Sequence, residues 1–129
     1  MSLNPPVAFH ELDTENGWEP VPGGVPGVEQ KLLSGALDEA GKTGVRTRLI
    51  RIRPSTIAPD VFLHDYWEEV YLMSGQLVNG CNAQGEGGTL YTAPSYACRP
   101  PGTEHGPFTS TEGCVFFEIQ YYIGDRDEP

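Results

Sequence analysis

Cysteine, histidine and basic side chains are all scarce in this chain, and no long apolar run interrupts it. The three cysteines, Cys81, Cys98 and Cys114, are odd in number and form no CxxC pair, which argues against both a disulfide framework and a thiolate zinc site. They read as small, partly buried hydrophobes. Cys98 alone has a competing reading, as a redox-sensitive thiol or extra metal ligand, because it lies upstream of His105. Eight Lys and Arg against 18 Asp and Glu leave a formal net charge of -10, a field that repels nucleic acid and anionic lipid, so neither is expected as a partner. No stretch approaches the roughly 20 apolar residues of a membrane-spanning helix. Residues 1–10 lack the basic and apolar regions of a signal peptide, so a cytoplasmic location is expected.

Turn-forming residues are plentiful instead. Sixteen glycines and 12 prolines fall in small clusters along 129 residues, which favours many short strands over long helices and an all-β fold. A chain of this length fits one domain, residues 1–129. Within it, residues 1–27 are so rich in Pro and Gly that they form an irregular arm, and residues 28–123 form a barrel or sandwich. Strands are expected over residues 28–34, 45–53, 68–73, 76–81, 89–92, 96–99, 108–109 and 114–123, with 61–64 also extended. The 38–44 segment is the turn of a first hairpin, Pro54 and Pro59 bracket a connection, and the acidic tail 124–129 is a frayed end. Strands this short and numerous close either as a sandwich or as a jelly-roll barrel.

Two segments carry chemistry. In the first, His64 and Glu68 stand four residues apart, with Gly75 seven beyond the glutamate. On an extended chain alternate side chains share a face, so His64, Tyr66, Glu68, Val70 and Leu72 point one way and Asp65, Trp67, Glu69 and Tyr71 the other. This favours Glu68 over Glu69 as a ligand. A straight strand would hold the α-carbons of His64 and Glu68 about 13 Å apart, too far for two ligands of one ion, so a turn at Asp65, Tyr66 and Trp67 is expected between them. In the second segment, Pro100-Pro101-Gly102 delivers the chain into His105. Such a turn is cheap to order and aims one side chain reproducibly.

The three candidates converge only if the fold brings the segments together. His64 and His105 compete with a reading as hydrogen-bonded barrel histidines, and Glu68 with a salt bridge to Arg48, Arg53 or Arg99. A carboxylate entering a lumen needs a cation or several donors to offset its desolvation, which a metal ion provides. Two imidazoles and one carboxylate suit Fe, Zn, Mn, Ni or Co, and leave coordination positions open. Phe62, Tyr66, Tyr91, Tyr96 and Phe116 are candidate lining residues, each also open to a plain core role. His10 lies in the arm and reads as a surface histidine.

Both segments resemble the two motifs of the cupin superfamily, whose fold is a double-stranded β-helix, a jelly-roll barrel. His64, three residues, Glu68, six residues and Gly75 resemble the later part of the first motif, and Pro100-Pro101-Gly102-Thr103-Glu104-His105 the centre of the second. The positions of the family's first histidine and its preceding glycine hold Phe62 and Thr56, and Pro94 and Thr109 replace a further glycine and asparagine. The resemblance therefore implies one divalent metal ion on His64, Glu68 and His105, one ligand fewer than the full set. Trp18-Glu-Pro, Val28-Glu-Gln-Lys-Leu-Leu and Val45-Arg-Thr-Arg-Leu-Ile-Arg extend it to the small cupins that include anti-sigma-factor cupin domains and acetylacetone-cleaving dioxygenases. Three functions follow as expectations: a non-haem dioxygenase-like enzyme on a small oxygenated or dicarbonyl molecule, a non-catalytic small-ligand sensor, and a metal-independent isomerase with His64 or His105 as base. Few lumen arginines are expected, which weighs against a diphosphate substrate. A homodimer is expected from the family's habit of pairing and from the open sheet edge.

Overall fold

The computed structural model describes residues 6–124; of the acidic tail, everything past Gly124 lies outside the described residues. Nine strands and no helix are present among them: β1 Glu19–Pro20, β2 Val28–Asp38, β3 Thr43–Ile52, β4 Thr56–Ala58, β5 Trp67–Asn79, β6 Thr89–Thr92, β7 Ser95–Arg99, β8 Phe108–Ser110 and β9 Cys114–Tyr121. All pairings are antiparallel. The order β1-β2-β3-β9-β5 continues through β7 on the first half of β5, and through β6, β8 and β4 on its second half. The sheet thus curls around β5, and the result is an all-β jelly roll.

Several boundaries differ from the sequence expectation. The two strands expected over 68–73 and 76–81 are one strand, β5, because Ser74 and Gly75 do not end the pairing but bend it. A register shift falls between Leu72 and Ser74, and Gly75 takes a φ of 78°. The β2–β3 hairpin is longer than expected, with Asp38 paired to Thr43, since the Asp38 carboxylate accepts a hydrogen bond from Gly41 N (2.9 Å) and closes a tight turn. The connection between Pro54 and Pro59 contains β4, whose three residues pair with β8. Residues 61–64 form no strand; Phe62 makes a single bridge to His105. Within the arm, β1 pairs with β2 and Trp18 lies over the Arg51 guanidinium at 4.6 Å.

Alternation sorts the side chains into inward rows, because register partners on antiparallel strands share a face. One row across β3, β9, β5 and β7 holds Arg46, Gln120, Glu68 and Arg99. The next holds Arg48, Glu118, Val70 and Ala97, and the third Ile50, Phe116, Leu72 and Ser95. The lumen is therefore polar at one end and apolar at the other. The apolar end is the core: Ile50, Ile52, Leu72, Leu77 and Cys114 are buried, with Val28, Phe108 and Phe116 packed against them. Burying each large aliphatic side chain there contributes about 1.5–3 kcal/mol.

Candidate metal centre

Two loops deliver the histidines, and backbone hydrogen bonds tie the loops to each other. Phe62 N donates to His105 O (2.7 Å), His105 N to Phe62 O (3.1 Å) and Gly102 N to His64 O (2.9 Å). The Pro100-Pro101-Gly102 turn closes through Thr103 N donating to Pro100 O (3.2 Å), with Gly102 at a φ of 83°. On the far side of His105, Gly106 N donates to Asn79 Oδ1 (2.8 Å). His105 is thus fixed from both sides. His64 precedes a bend at Asp65 and Tyr66, and β5 starts at Trp67, one residue earlier than the expected turn would allow.

The structure brings His64, Glu68 and His105 together: one donor atom from each lies within 4.8 Å of the others. His105 Nε2 is 3.6 Å from Glu68 Oε1. Glu68 and His105 are buried and His64 is half-buried. Glu69 points outward, where the hydroxyls of Tyr96 (2.5 Å) and Tyr121 (3.0 Å) donate to it.

The donor set fits a divalent cation. Burial holds the pKa of both histidines below the ordinary value, and the Arg99 charge adds to this at His105, so both rings are neutral near pH 7. His105 Nδ1 faces Thr103 O (3.3 Å), which assigns the proton to that nitrogen and turns the Nε2 lone pair toward Glu68. Neither ring nitrogen of His64 has a hydrogen-bond partner among the described residues. Burial pushes the Glu68 carboxyl up, but the Gln120 hydrogen bond and the Arg99 charge outweigh it, and Glu68 stays ionised below its ordinary value.

Glu68 is also ion-paired. Arg99 Nη1 donates to Oε1 (2.8 Å) and Gln120 Nε2 to Oε2 (2.7 Å). Of the three arginines weighed for this role, Arg48 pairs instead with Glu118, and Arg53 with Glu29 on the outside (3.0 Å). A carboxylate offers about four lone-pair sites, so both oxygens keep one free for a metal. Arg99 and Gln120 hold the carboxylate, one through each oxygen.

The site opens on a cavity of about 400 Å³. Phe62, Tyr66 and Phe116 line it. Phe62 stands beside both histidines, with ring centroids 6.2 Å from His64 and 5.6 Å from His105, and Tyr66 stacks on His64 at 4.5 Å. Tyr91 and Tyr96 do not line it. Tyr91 sits on β6, all four residues of which are exposed, and Tyr96 is the register partner of the outward-facing Tyr71. Cys98 pairs in register with Glu69 on the outer side and is exposed, so it is no ligand. Asp65 accepts from Tyr122 OH (2.9 Å) and serves the turn. His10 is exposed in the arm.

The expectation of few lumen arginines is overturned: Arg46, Arg48 and Arg99 all line the cavity, as do Glu118 and Gln120. Arg46, Arg48, Glu118 and Gln120 alternate on β3 and β9, but the more apolar face of β9, with Val115, Phe117 and Ile119, is the one turned away from the lumen. Polar residues at period two on these strands were the available signal.

Glu118 yields a pH prediction. Burial and the Glu68 charge push its carboxyl up to about 7, against the lowering effect of Arg48. A folded-state pKa above the unfolded value of 4.5 means the fold binds this proton more tightly, so Glu118 costs stability as pH rises from about 4.5 to 7. The two histidines, with lowered pKa values, act oppositely and lose stability as pH falls through 6.5 and below. Glu118→Gln removes only the first contribution. Its stability relative to wild type is expected to improve by about 2 kcal/mol between pH 5 and pH 8 in urea denaturation; a difference independent of pH would contradict this.

A curled jelly roll whose loops aim two histidines at a carboxylate in its lumen has the cupin fold. No protein-family model matches the sequence, and no curated protein matches it either. Solved structures do. An RmlC-like cupin from Shewanella frigidimarina aligns with a TM-score of 0.63 at 12% identity, covering 93% of this chain and 96% of that one. An acetylacetone dioxygenase from Acinetobacter johnsonii aligns at 0.63 and 18%, covering 99% and 86%. The polyketide cyclase RemF from Streptomyces resistomycificus aligns at 0.64 and 20%, covering 89% and 80%. At these identities the likeness is one of fold.

Proposed function

We propose that this protein is a metal-dependent cupin enzyme acting on a small oxygenated organic molecule, with one divalent ion held by His64, Glu68 and His105. The observation that carries the reading is the convergence of the three donor atoms within 4.8 Å, on the wall of a cavity large enough for a small substrate. A bound divalent ion supplies a Lewis acid with open positions for a substrate oxygen. The chain supplies the rest. Thr103 O fixes the His105 tautomer, Arg99 and Gln120 hold the Glu68 carboxylate, and Phe62 covers one side of the histidine pair with an apolar ring. Tyr66 keeps its proton, since burial and then the Glu68 charge push its pKa upward, so its hydroxyl can donate to a substrate oxygen.

Dioxygenase-like chemistry is the preferred reaction class, supported by the fold likeness to an acetylacetone dioxygenase and by the three-ligand N/N/O set. Protein reconstituted with ferrous iron is expected to consume oxygen with at least one member of a panel of β-dicarbonyl, oxo-acid and hydroxy-acid compounds. No turnover with Fe, Zn, Mn, Ni or Co, together with ligand-dependent thermal stabilisation, would instead identify a non-catalytic sensor.

A further inference from the structure

The polar end of the lumen carries a cation that no carboxylate contacts directly among the described residues, although the charges of Glu118 and Glu39 act on it from a distance. Arg99 is paired with Glu68, and Arg48 with Glu118 and the side-chain oxygen of Gln30 (2.7 Å). Arg46 is different. Its Nε (2.8 Å) and Nη2 both donate to one neutral oxygen, Gln120 Oε1, and it has no carboxylate partner among the described residues. A guanidinium has five N–H donors, and no buried side-chain nitrogen among the described residues lacks a partner, so the remaining donors of Arg46 face accessible space where the residue lines the cavity. Glu39, on the β2–β3 turn, also lines the cavity, but it is exposed and makes no hydrogen bond to Arg46.

Position adds chemistry to this charge. Arg46, Gln120 and Glu68 are register partners in one row, so Arg46 stands at the level of the candidate metal centre and is linked to it through the Gln120 amide. Two rows further along β3 and β9, roughly 13 Å between α-carbons, the lining becomes Ile50 and Phe116, followed by Ile52. A ligand with its head at Arg46 therefore passes the row of Arg48, Glu118 and Val70 before its far end meets the apolar lining. A divalent ion at the site would raise the positive charge of this end further, against a carboxylate already shared with Arg99.

We infer that Arg46 is a substrate-binding residue that receives a carboxylate, and that the substrate class is a small amphipathic monocarboxylic acid, its head at Arg46 and its apolar end directed toward Ile50 and Phe116. The inference rests on the lumen being the substrate site, as proposed above, but not on the identity of the metal. A guanidinium binds a carboxylate bidentately, with charge-assisted hydrogen bonds that an alcohol of the same length cannot match.

Calorimetric titration with hexanoate, hexan-1-ol and acetate tests it, on the purified protein and again after chelation, with metal content measured in parallel. Hexanoate is expected to bind at least tenfold more tightly than hexan-1-ol and than acetate in both preparations. Arg46→Gln is expected to bring hexanoate down to the hexan-1-ol affinity while leaving metal content and hexan-1-ol binding unchanged, and Arg46→Lys to keep part of the preference. Equal binding of hexanoate and hexan-1-ol, no hexanoate binding, a preference that survives Arg46→Gln, or one that vanishes on chelation because the carboxylate sits on the ion, would each overturn the inference. Protein that holds no metal before chelation and takes none up on dialysis against divalent ions, yet retains the preference, would sink the metal reading and leave this one standing.

Discussion

His105→Ala is expected to lower the affinity for a divalent ion by at least about 100-fold, since even outer partners of metal ligands cost 10–100-fold when removed. His105 is the most constrained of the three candidate ligands. Backbone hydrogen bonds to Phe62 and the Gly106–Asn79 contact fix its main chain, and Thr103 O fixes its tautomer. Little of its binding free energy is therefore spent on ordering. The variant should fold, because its ties to Phe62 run through the backbone, although it loses the ring stacked on Phe62 at 5.6 Å. Competition with a chromogenic chelator would measure the affinity, and far-UV circular dichroism the fold. An unchanged affinity in a folded His105→Ala protein would show that His105 is a hydrogen-bonded barrel histidine. His64→Ala should behave alike. Gln120→Leu, which strips one donor from Glu68, should fall in the 10–100-fold range.

The second large effect concerns stability. Gly75→Ala is expected to destabilise the fold by about 3 kcal/mol or more, whereas Gly80→Ala should cost only about 1–2 kcal/mol. Both glycines have positive φ, 78° and 86°, so both substitutions carry the strain of an L-residue in the left-handed region. They differ in space. A Cβ on Gly75 would lie 2.0 Å from Gly113 O and 2.9 Å from Cys114 Cα, both backbone atoms of the segment entering β9, while a Cβ on Gly80 meets nothing within 4 Å. Relief at Gly75 would require β5 and β9 to separate where β5 changes partners. Urea denaturation of the two variants measures the difference directly; equal losses would mean that the β5–β9 contact yields easily. This contact gives a physical reason for the glycine that closes the first sequence motif.

Much of the architecture was legible in the chain. Turn clusters of Gly and Pro marked most strand boundaries, and period-two alternation placed His64, Tyr66, Glu68, Val70 and Leu72 on one side, where Tyr66, Glu68, Val70 and Leu72 are in fact buried. The bend between His64 and Glu68 followed from distance alone. What stayed hidden depends on long-range pairing. Gly75 reads as a strand end, yet β5 runs through it because the flanking residues have partners on β6, β8 and β9, far away in sequence. Arg46, Glu118 and Gln120 carry no motif, and Arg48 offers itself as a partner for Glu68; only the closure of β3 against β9 shows Arg46 bonding to Gln120 and Arg48 to Glu118 inside the lumen. Two of the four departures from the family motifs, Thr56 and Thr109, meet each other: Thr109 Oγ1 donates to Thr56 O (2.8 Å), joining β4 to β8. Aromatic content misled at Tyr91 and Tyr96, because an edge strand and an outward register position can each carry a tyrosine whose ring the lumen never sees.

Phe62 gives the centre its particular form. It occupies the position where the first cupin motif has a histidine, and its ring lies against both His64 and His105. The result is a site of three candidate ligands with an apolar wall. The most direct test is the ion itself: elemental analysis of protein purified without added metal, with crystals of the same material measured for anomalous scattering. The account predicts close to one divalent ion per chain, with its anomalous peak among the side chains of His64, Glu68 and His105. A metal-free protein that takes up no ion on dialysis, or a peak held elsewhere with Glu68 still bound only to Arg99 and Gln120, would contradict it.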